Sequence, residues 1–376
     1  MDNPKIFAAY LPQYHETPDN NEFWGKGFTD WNGVRKAQPQ FEGHKQPRIP
    51  LDKRYYDLAD PESIRWQAEL AREFGIDGFN IYHYWFKDGK QELETPAELL
   101  LEHKEINIGY FFTWDNCSWK RTWSNISGND WAPLVDEKRK LTVTSETKIL
   151  VEMEYGREEQ WSLHFNYLLK FFNDDRYFKI NGMPVFGFMT YTDMKTLEEM
   201  GNYWKKLAIE HGFPGLYLIT NYSDVHKRLL FDARFLYQPA YSSWGKRMMI
   251  ESRLRKYLGI TVSHKRCPVK YLYEYDTCWK RLIANAKKNK DDTVIFGSFV
   301  RYDDTPRRGK NANVIKGETP QKFKKYFSEL YQIAREKNKP FVLITAWNEW
   351  GEGAYLEPDE QSAYEYLKAI KETVKP

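Results

Sequence analysis

Eight short apolar runs, separated by stretches with helical spacing, limit what this chain can fold into. They are Ile6–Leu11, Gly78–His83, Ile108–Thr113, Pro184–Thr190, Leu216–Thr220, Phe235–Gln238, Val294–Phe299 and Phe341–Ala346. Each is rich in β-branched or aromatic residues and about the length of a buried strand. Between them lie helical patterns such as Pro61–Phe74 and Pro320–Lys337, each opening on a proline at a helix start. Strands alternating with helices over 376 residues predict an α/β protein, a (β/α)8 TIM barrel with long βα-loop insertions. A ninth run, Lys148–Glu152, also reads as a strand, so eight is a selection.

One barrel accounts for residues 1–376. Residues 12–60 follow the first strand, and residues 241–292 lie between strands six and seven. In a barrel, both would emerge as βα loops on the catalytic face. The second holds most of the charge imbalance. From Lys246 to Lys290 there are thirteen Lys/Arg against three Asp/Glu, whereas the whole chain carries a net charge of only +3. The chain as a whole does not resemble a nucleic-acid binder. The 246–290 segment reads either as a solvated helical face or as an anion-facing lid touching a membrane surface or a lipid-linked glycan. Three cysteines without metal-ligand spacing argue for a reducing compartment. With no signal-peptide pattern and no membrane-length apolar run, the expected location is the cytoplasm.

The strand ends carry the chemistry. The last apolar run delivers Trp347-Asn348-Glu349-Trp350-Gly351-Glu352. Two carboxylates on a glycine-containing turn between tryptophans suit glycoside chemistry. One group must donate a proton while the other stays an anion. The indoles offer flat faces to sugar rings and lower the local dielectric. Glu349 and Glu352 are therefore the candidate catalytic pair. Candidate substrate contacts are Tyr10, Gln13 and His15 after the first strand, and Tyr82, His83 and Trp85 at the second. Trp114, Asp115 and Asn116 follow the third strand, and Tyr302 and Asp303 the seventh. Asn348, Trp347 and Trp350 lie on the catalytic turn, and Trp24 and Trp31 in the first insert. Glu357 reads equally as a third acid or as a helix-start carboxylate. Asp115 and Asn116 read equally as hydroxyl-gripping groups or as caps of their turn.

His15 and His83 follow separate strands, and with a carboxylate they would make a zinc set. No HExxH-type spacing supports that, so no metal is expected. No Gly-rich phosphate loop and no GxSxG elbow is present, so neither a nucleotide cofactor nor a serine hydrolase is signalled.

The chain resembles the WbsX-type proteins of polysaccharide biosynthesis loci, whose fold is similar to glycoside hydrolase family 99, the endo-α-mannosidases. The resemblance rests on Tyr10-Leu-Pro-Gln-Tyr-His15, Phe23-Trp-Gly-Lys-Gly-Phe-Thr-Asp-Trp31, Gly75-Ile-Asp-Gly-Phe79, Tyr84-Trp-Phe86, Tyr302-Asp-Asp-Thr-Pro-Arg-Arg308 and Trp347-Asn-Glu-Trp-Gly-Glu352. It implies a (β/α)8 barrel and glycan processing. It further implies that Glu349 acts as a base on the sugar's own 2-hydroxyl, and that Glu352 is general acid, then base. One departure stands out: the family usually reads Trp-Ala-Asn-Glu where this chain has Trp114-Asp115-Asn116-Cys117. Three activities are open: glycoside hydrolysis or transglycosylation on a bacterial surface polysaccharide of O-antigen or capsule type, glycosyl transfer from an activated donor in lipopolysaccharide synthesis, and non-catalytic glycan binding.

Overall fold

In the computed structural model, residues 3–120, 149–190, 193–221, 230–243 and 268–375 are described. β1 (Lys5–Tyr10) pairs in parallel with β2 (Gly78–Trp85) on one side and with β8 (Phe341–Thr345) on the other. That double pairing closes the sheet. Between them run β3 (Gly109–Trp114), β4 (Met183–Phe188), β5 (Tyr217–Asn221), β6 (Ala233–Phe235) and β7 (Val294–Phe299), every neighbouring pair parallel. The result is a closed eight-stranded parallel barrel with helices around it, a TIM barrel.

Within the insert after β1 lie two short helices, α1 (Pro18–Trp24) and α2 (Trp31–Lys36). The outer layer contains α3 (Pro61–Glu73), α4 (Thr95–Glu102), α5 (Glu158–Phe172), α6 (Met194–Glu210), α7 (Tyr275–Lys288), α9 (Pro320–Glu336) and α10 (Glu365–Val374). The one-turn α8 (Thr305–Arg308) follows β7. Two helix starts show why the proline signals were informative. The Asp60 carboxylate accepts from Glu62 N at 3.0 Å ahead of Pro61, and the Thr319 hydroxyl from Lys322 N at 3.2 Å ahead of Pro320.

Phenylalanines plug the barrel floor. Phe7, Phe111 and Phe341 meet edge to face, with centroids 5.1 to 5.6 Å apart. Gly78 makes room for them, since a Cβ there would stand 2.5 Å from the Phe7 ring and 2.3 Å from the Gly109 carbonyl.

Two expectations shift. β6 spans Ala233–Phe235 rather than Phe235–Gln238. Arg234 fits in the strand because its guanidinium reaches out to Asp291 while its backbone pairs. The ninth run forms a strand, Ile149–Val151, but pairs antiparallel with Trp119–Lys120 in a small ribbon outside the barrel. Of the 241–292 segment, residues 244–267 lie outside the described part, and much of the 246–290 basic stretch lies there with them. The described remainder includes α7, which buries Tyr275, Cys278, Trp279 and Leu282.

Candidate active site

At the C-terminal mouth of the barrel is a cavity of about 300 Å3. Seven of the eight strands send residues to its wall directly or through the segments that follow them. Leu11 and Gln13 come after β1, Tyr82 and Tyr84 from β2, and Asp115 and Cys117 after β3. Met189 follows β4, Tyr237 β6, Arg307 β7, and Glu349 and Glu352 follow β8. Asn20 and Trp24 of α1 and Trp119 and Leu150 of the small ribbon complete the rim.

Both carboxylates of the last turn are held by one guanidinium. Arg307 Nη1 donates to Glu352 Oε1 at 3.0 Å, and Nη2 donates to Glu349 Oε2 at 3.0 Å. Arg307 Nε donates to Asp30 Oδ1 at 3.3 Å. The other oxygen of Asp30 accepts from Gly351 N at 3.1 Å. Gly351 allows this convergence: a Cβ there would sit 2.4 Å from Arg307 Nε and 2.6 Å from Asp30 Oδ2. Tyr14 braces the same turn, accepting from Trp350 N at 3.1 Å and donating to the Asn348 carbonyl at 2.5 Å.

The two acids sit in different surroundings. The Glu349 side chain is 5% exposed and that of Glu352 18%. Burial pushes the Glu349 carboxyl up to about 8, against the pull of Arg307 and with a further push from Glu352 and Asp30. Asp115 on the facing wall is pushed up to about 6 by burial alone. The hydroxyls of Tyr82 and Tyr237 lie 3.0 Å apart across the cavity wall. The arrangement provides a buried carboxyl of raised proton affinity, a second and more exposed one, a fixed cation between them, and aromatic walls. Among the described residues, no group of three or more His, Cys, Asp and Glu gathers to hold a metal ion.

Residues 6–370 match the protein family described as glycosyltransferase WbsX. The chain belongs to that family. Two curated relatives, from two strains of Xanthomonas campestris pv. campestris and both called uncharacterized protein WxcX, are 27% identical over 381 residues, covering 98% of this chain. The chain spans about half of their length, 49%. Among solved structures, this WbsX-family barrel is similar to the family 99 endo-α-mannosidase of Bacteroides thetaiotaomicron. The TM-score there is 0.55 at 14% identity, over 100% of this chain and 97% of that one. A protein described as glycoside hydrolase-like gives 0.56 at 13% identity, over 100% and 95%. At such identities the likeness shows the fold.

The WbsX-family chain brings Gln13, Trp24, Tyr82, Asp115, Glu349 and Glu352 together around the cavity. The other residues proposed from sequence do not line it. His83 and Trp85 face the helices: His83 Nε2 lies 2.8 Å from His164 Nε2, and Trp85 stacks on His164 with centroids 4.2 Å apart. Burial lowers His83 to about 3. Trp114 joins the same outer layer, donating to the Trp85 carbonyl at 3.1 Å. Asn116 ties Tyr155 to Thr190 through its amide. The Tyr10 hydroxyl bonds Gln67 on α3, and the buried His15 ring bonds the Pro12 carbonyl. Trp31 packs on Tyr14 and donates to the Tyr56 carbonyl. Trp347 packs on Phe79. Trp350 stacks on Tyr355 and donates to Glu357, which also accepts from Tyr56 and Gln67. Glu357 is thus saturated behind the turn, and burial pushes it up to about 7. Asn348 bonds the backbone of Leu11. Tyr302 is buried near Asp304, and Asp303 accepts from His44, Gln46 and Thr305.

Sequence reasoning missed Tyr84, Tyr237 and Asn20 in the wall, and it missed Asp30 behind it. Arg307 and Arg308 read from sequence either as partners of Asp303 and Asp304 or as facing an anionic group, and the turn that Arg307 holds was not anticipated. The twofold alternation of a strand was the available signal for Tyr84, because Tyr82 and Tyr84 share a face that His83 and Trp85 do not. Nothing local marks Asp30, which meets Arg307 across 277 positions.

Proposed function

We propose that this WbsX-family barrel is a glycan-processing enzyme that cleaves or transfers glycosidic bonds through Glu349 and Glu352. One observation carries the reading: two carboxylates of unequal burial share the Arg307 guanidinium at an aromatic-walled cavity in the barrel mouth. Glu349 is the buried partner with raised proton affinity, which suits a base strong enough to take a proton from a sugar hydroxyl. Glu352 is the more exposed partner, open to the leaving oxygen and to the incoming acceptor, and the family resemblance gives it the part of proton donor, then acceptor. In the route that the family resemblance implies, Glu349 takes the proton of the 2-hydroxyl and O2 displaces the leaving group at C1. Glu352 protonates that leaving oxygen. In the second half, Glu352 takes a proton from water or an acceptor hydroxyl, whose oxygen attacks C1. The C1–O2 bond breaks, and Glu349 returns its proton to O2. Water as acceptor gives hydrolysis, and a sugar hydroxyl gives transfer. The substrate class is a bacterial surface polysaccharide or its lipid-linked precursor.

The test is incubation of wild type and Glu352→Gln with surface polysaccharide from the producing organism, without nucleotide sugar, followed by mass analysis. New fragments or rearranged chains from wild type alone support the reading. No change, with products appearing once a nucleotide sugar is added, replaces it with donor-dependent transfer, the reading that the family's description favours.

A further inference from the structure

A second cavity, of about 370 Å3, opens on the same face of the barrel. Asp303 lines it, and Arg307, four residues on, lines the catalytic one. Its walls come from the insert after β1 and from the segments after β7 and β8, so it is built from catalytic-face loops. Four cationic side chains line it, Lys45, Arg48, Arg301 and Lys316, against two carboxylates, Asp303 and Glu318.

The two arginines are nearly sealed, Arg48 at 6% exposed and Arg301 at 2%. Arg48 Nη2 pairs with Glu318 at 3.0 Å, and Arg301 Nη1 with Asp359 at 2.8 Å. Arg301 lies against Tyr355, 3.9 Å from its ring centroid. The guanidinium of Arg48 is near enough to disfavour the charge of Arg301. Buried Nε of Arg48 has no hydrogen-bond partner among the described residues. A buried cationic donor left unmet is costly, and an anion is the partner that satisfies both its hydrogen and its charge. The carboxylate of Asp303 does not supply that partner. Its Oδ2 already accepts from His44 at 2.8 Å and Gln46 at 2.6 Å, and its Oδ1 from Thr305. His44 is held as the Nε2–H form, because its Nδ1 accepts from Gln40 N at 3.0 Å.

We propose that this cavity binds an anionic oxygen group, a carboxylate or a phosphate, through Arg48 and Lys45. Arg301 supports the site from behind. Its place on the catalytic face makes the ligand a charged substituent or diphosphate of the glycan being processed. That last step rests on the proposed function, whereas the anion site itself does not.

The experiment is calorimetric titration of the folded chain at low ionic strength with inorganic pyrophosphate, with sodium glucuronate and with glucose. Wild type, Lys45→Ala, Arg48→Gln and Glu352→Gln are compared, with a thermal melt of each. At least one anion is expected to bind saturably and glucose not to bind. Arg48→Gln should weaken the anion about tenfold and Lys45→Ala several-fold, with Glu352→Gln unchanged. Preference for pyrophosphate points to a diphosphate-linked ligand, and preference for glucuronate to an acidic sugar. If neither anion binds, or if affinity is the same in Lys45→Ala and Arg48→Gln, the site does not exist. Lys45 is exposed, so its variant keeps the test decisive should Arg48→Gln fail to fold. Anion binding with no turnover on polysaccharide would sink the glycosidase reading and leave this site standing.

Discussion

Asn348 bonds the backbone of Leu11 twice, its Oδ1 accepting from Leu11 N at 2.7 Å and its Nδ2 donating to Leu11 O at 2.9 Å. The side chain acts as one more rung between the ends of β8 and β1, and it fixes the register of Glu349 against the insert that carries Tyr14 and Asp30. Truncation in Asn348→Ala leaves a buried N–H and a buried C=O unmet. The expected loss is about 3 kcal/mol of stability, read from the denaturant midpoint, with activity falling more than the folded fraction does.

Arg307 is the shared cation of Asp30, Glu349 and Glu352. Arg307→Met should cost about 3–5 kcal/mol, because it strands buried carboxylates. Arg307→Lys should recover much of the stability but little of the activity, since an ammonium cannot present the planar fork that spaces the two glutamates. Melting curves alongside turnover separate the two effects. Equal recovery of both would show that charge alone matters.

Stability should fall as pH rises from about 5 to 8. Burial raises Glu349 to about 8, Glu357 and Asp304 to about 7 and Asp115 to about 6. Between their unfolded values and these folded ones, the native state holds protons that the unfolded chain has released. Their stabilisation is complete below the unfolded values and is lost as pH climbs through the folded ones. Each group contributes up to about 1.4 kcal/mol per pH unit within its window. Melting temperature against pH reads the sum, and Glu357→Gln should flatten the slope.

If Glu349 is the base, kcat/KM should rise with pH toward about 8 as its proton leaves. A rate that falls through the same range would make Glu349 the acid and exchange the roles of the pair. The pH profile on a defined oligosaccharide decides between them.

Cys117 lines the cavity at the barrel mouth, whereas Cys278 is fully buried in the outer layer. A small alkylating reagent should modify Cys117 in the native protein and lower activity, and bound glycan should protect it. Peptide mapping by mass spectrometry shows which thiol is labelled. Labelling at Cys117 that leaves activity untouched would place the substrate away from Leu150 and Met189.

Much of the fold was legible because most barrel strands are apolar runs bounded by polar turns. β7 matches residue for residue, and β1, β2, β3, β4, β5 and β8 differ only at their ends. β6 slipped because Arg234, at the centre of a three-residue strand, breaks the apolar run and hides its start. The turn from Trp347 to Glu352, which carries two acids to the cavity, was legible. Its surroundings were less so, because a strand end rich in aromatics does not announce which of its two faces looks inward. Tyr82 and Asp115 fell on the cavity side, while His83, Trp85 and Trp114 went to the helix layer. Glu357, Trp31 and Trp350 went to brace the turn from behind, where a tryptophan needs a partner for its N–H as much as a sugar needs a flat face.

Gly351 holds no side chain, and that empty position is where Asp30 and Arg307 come together. Three residues from three loops thereby become a single unit of variation. A larger residue at 351 is tolerable only in a descendant that has also shortened the arginine and given up the aspartate. Relatives that have changed one of the three should therefore have changed the others, and a lineage that has lost all three will have had to find another way to keep its two glutamates apart.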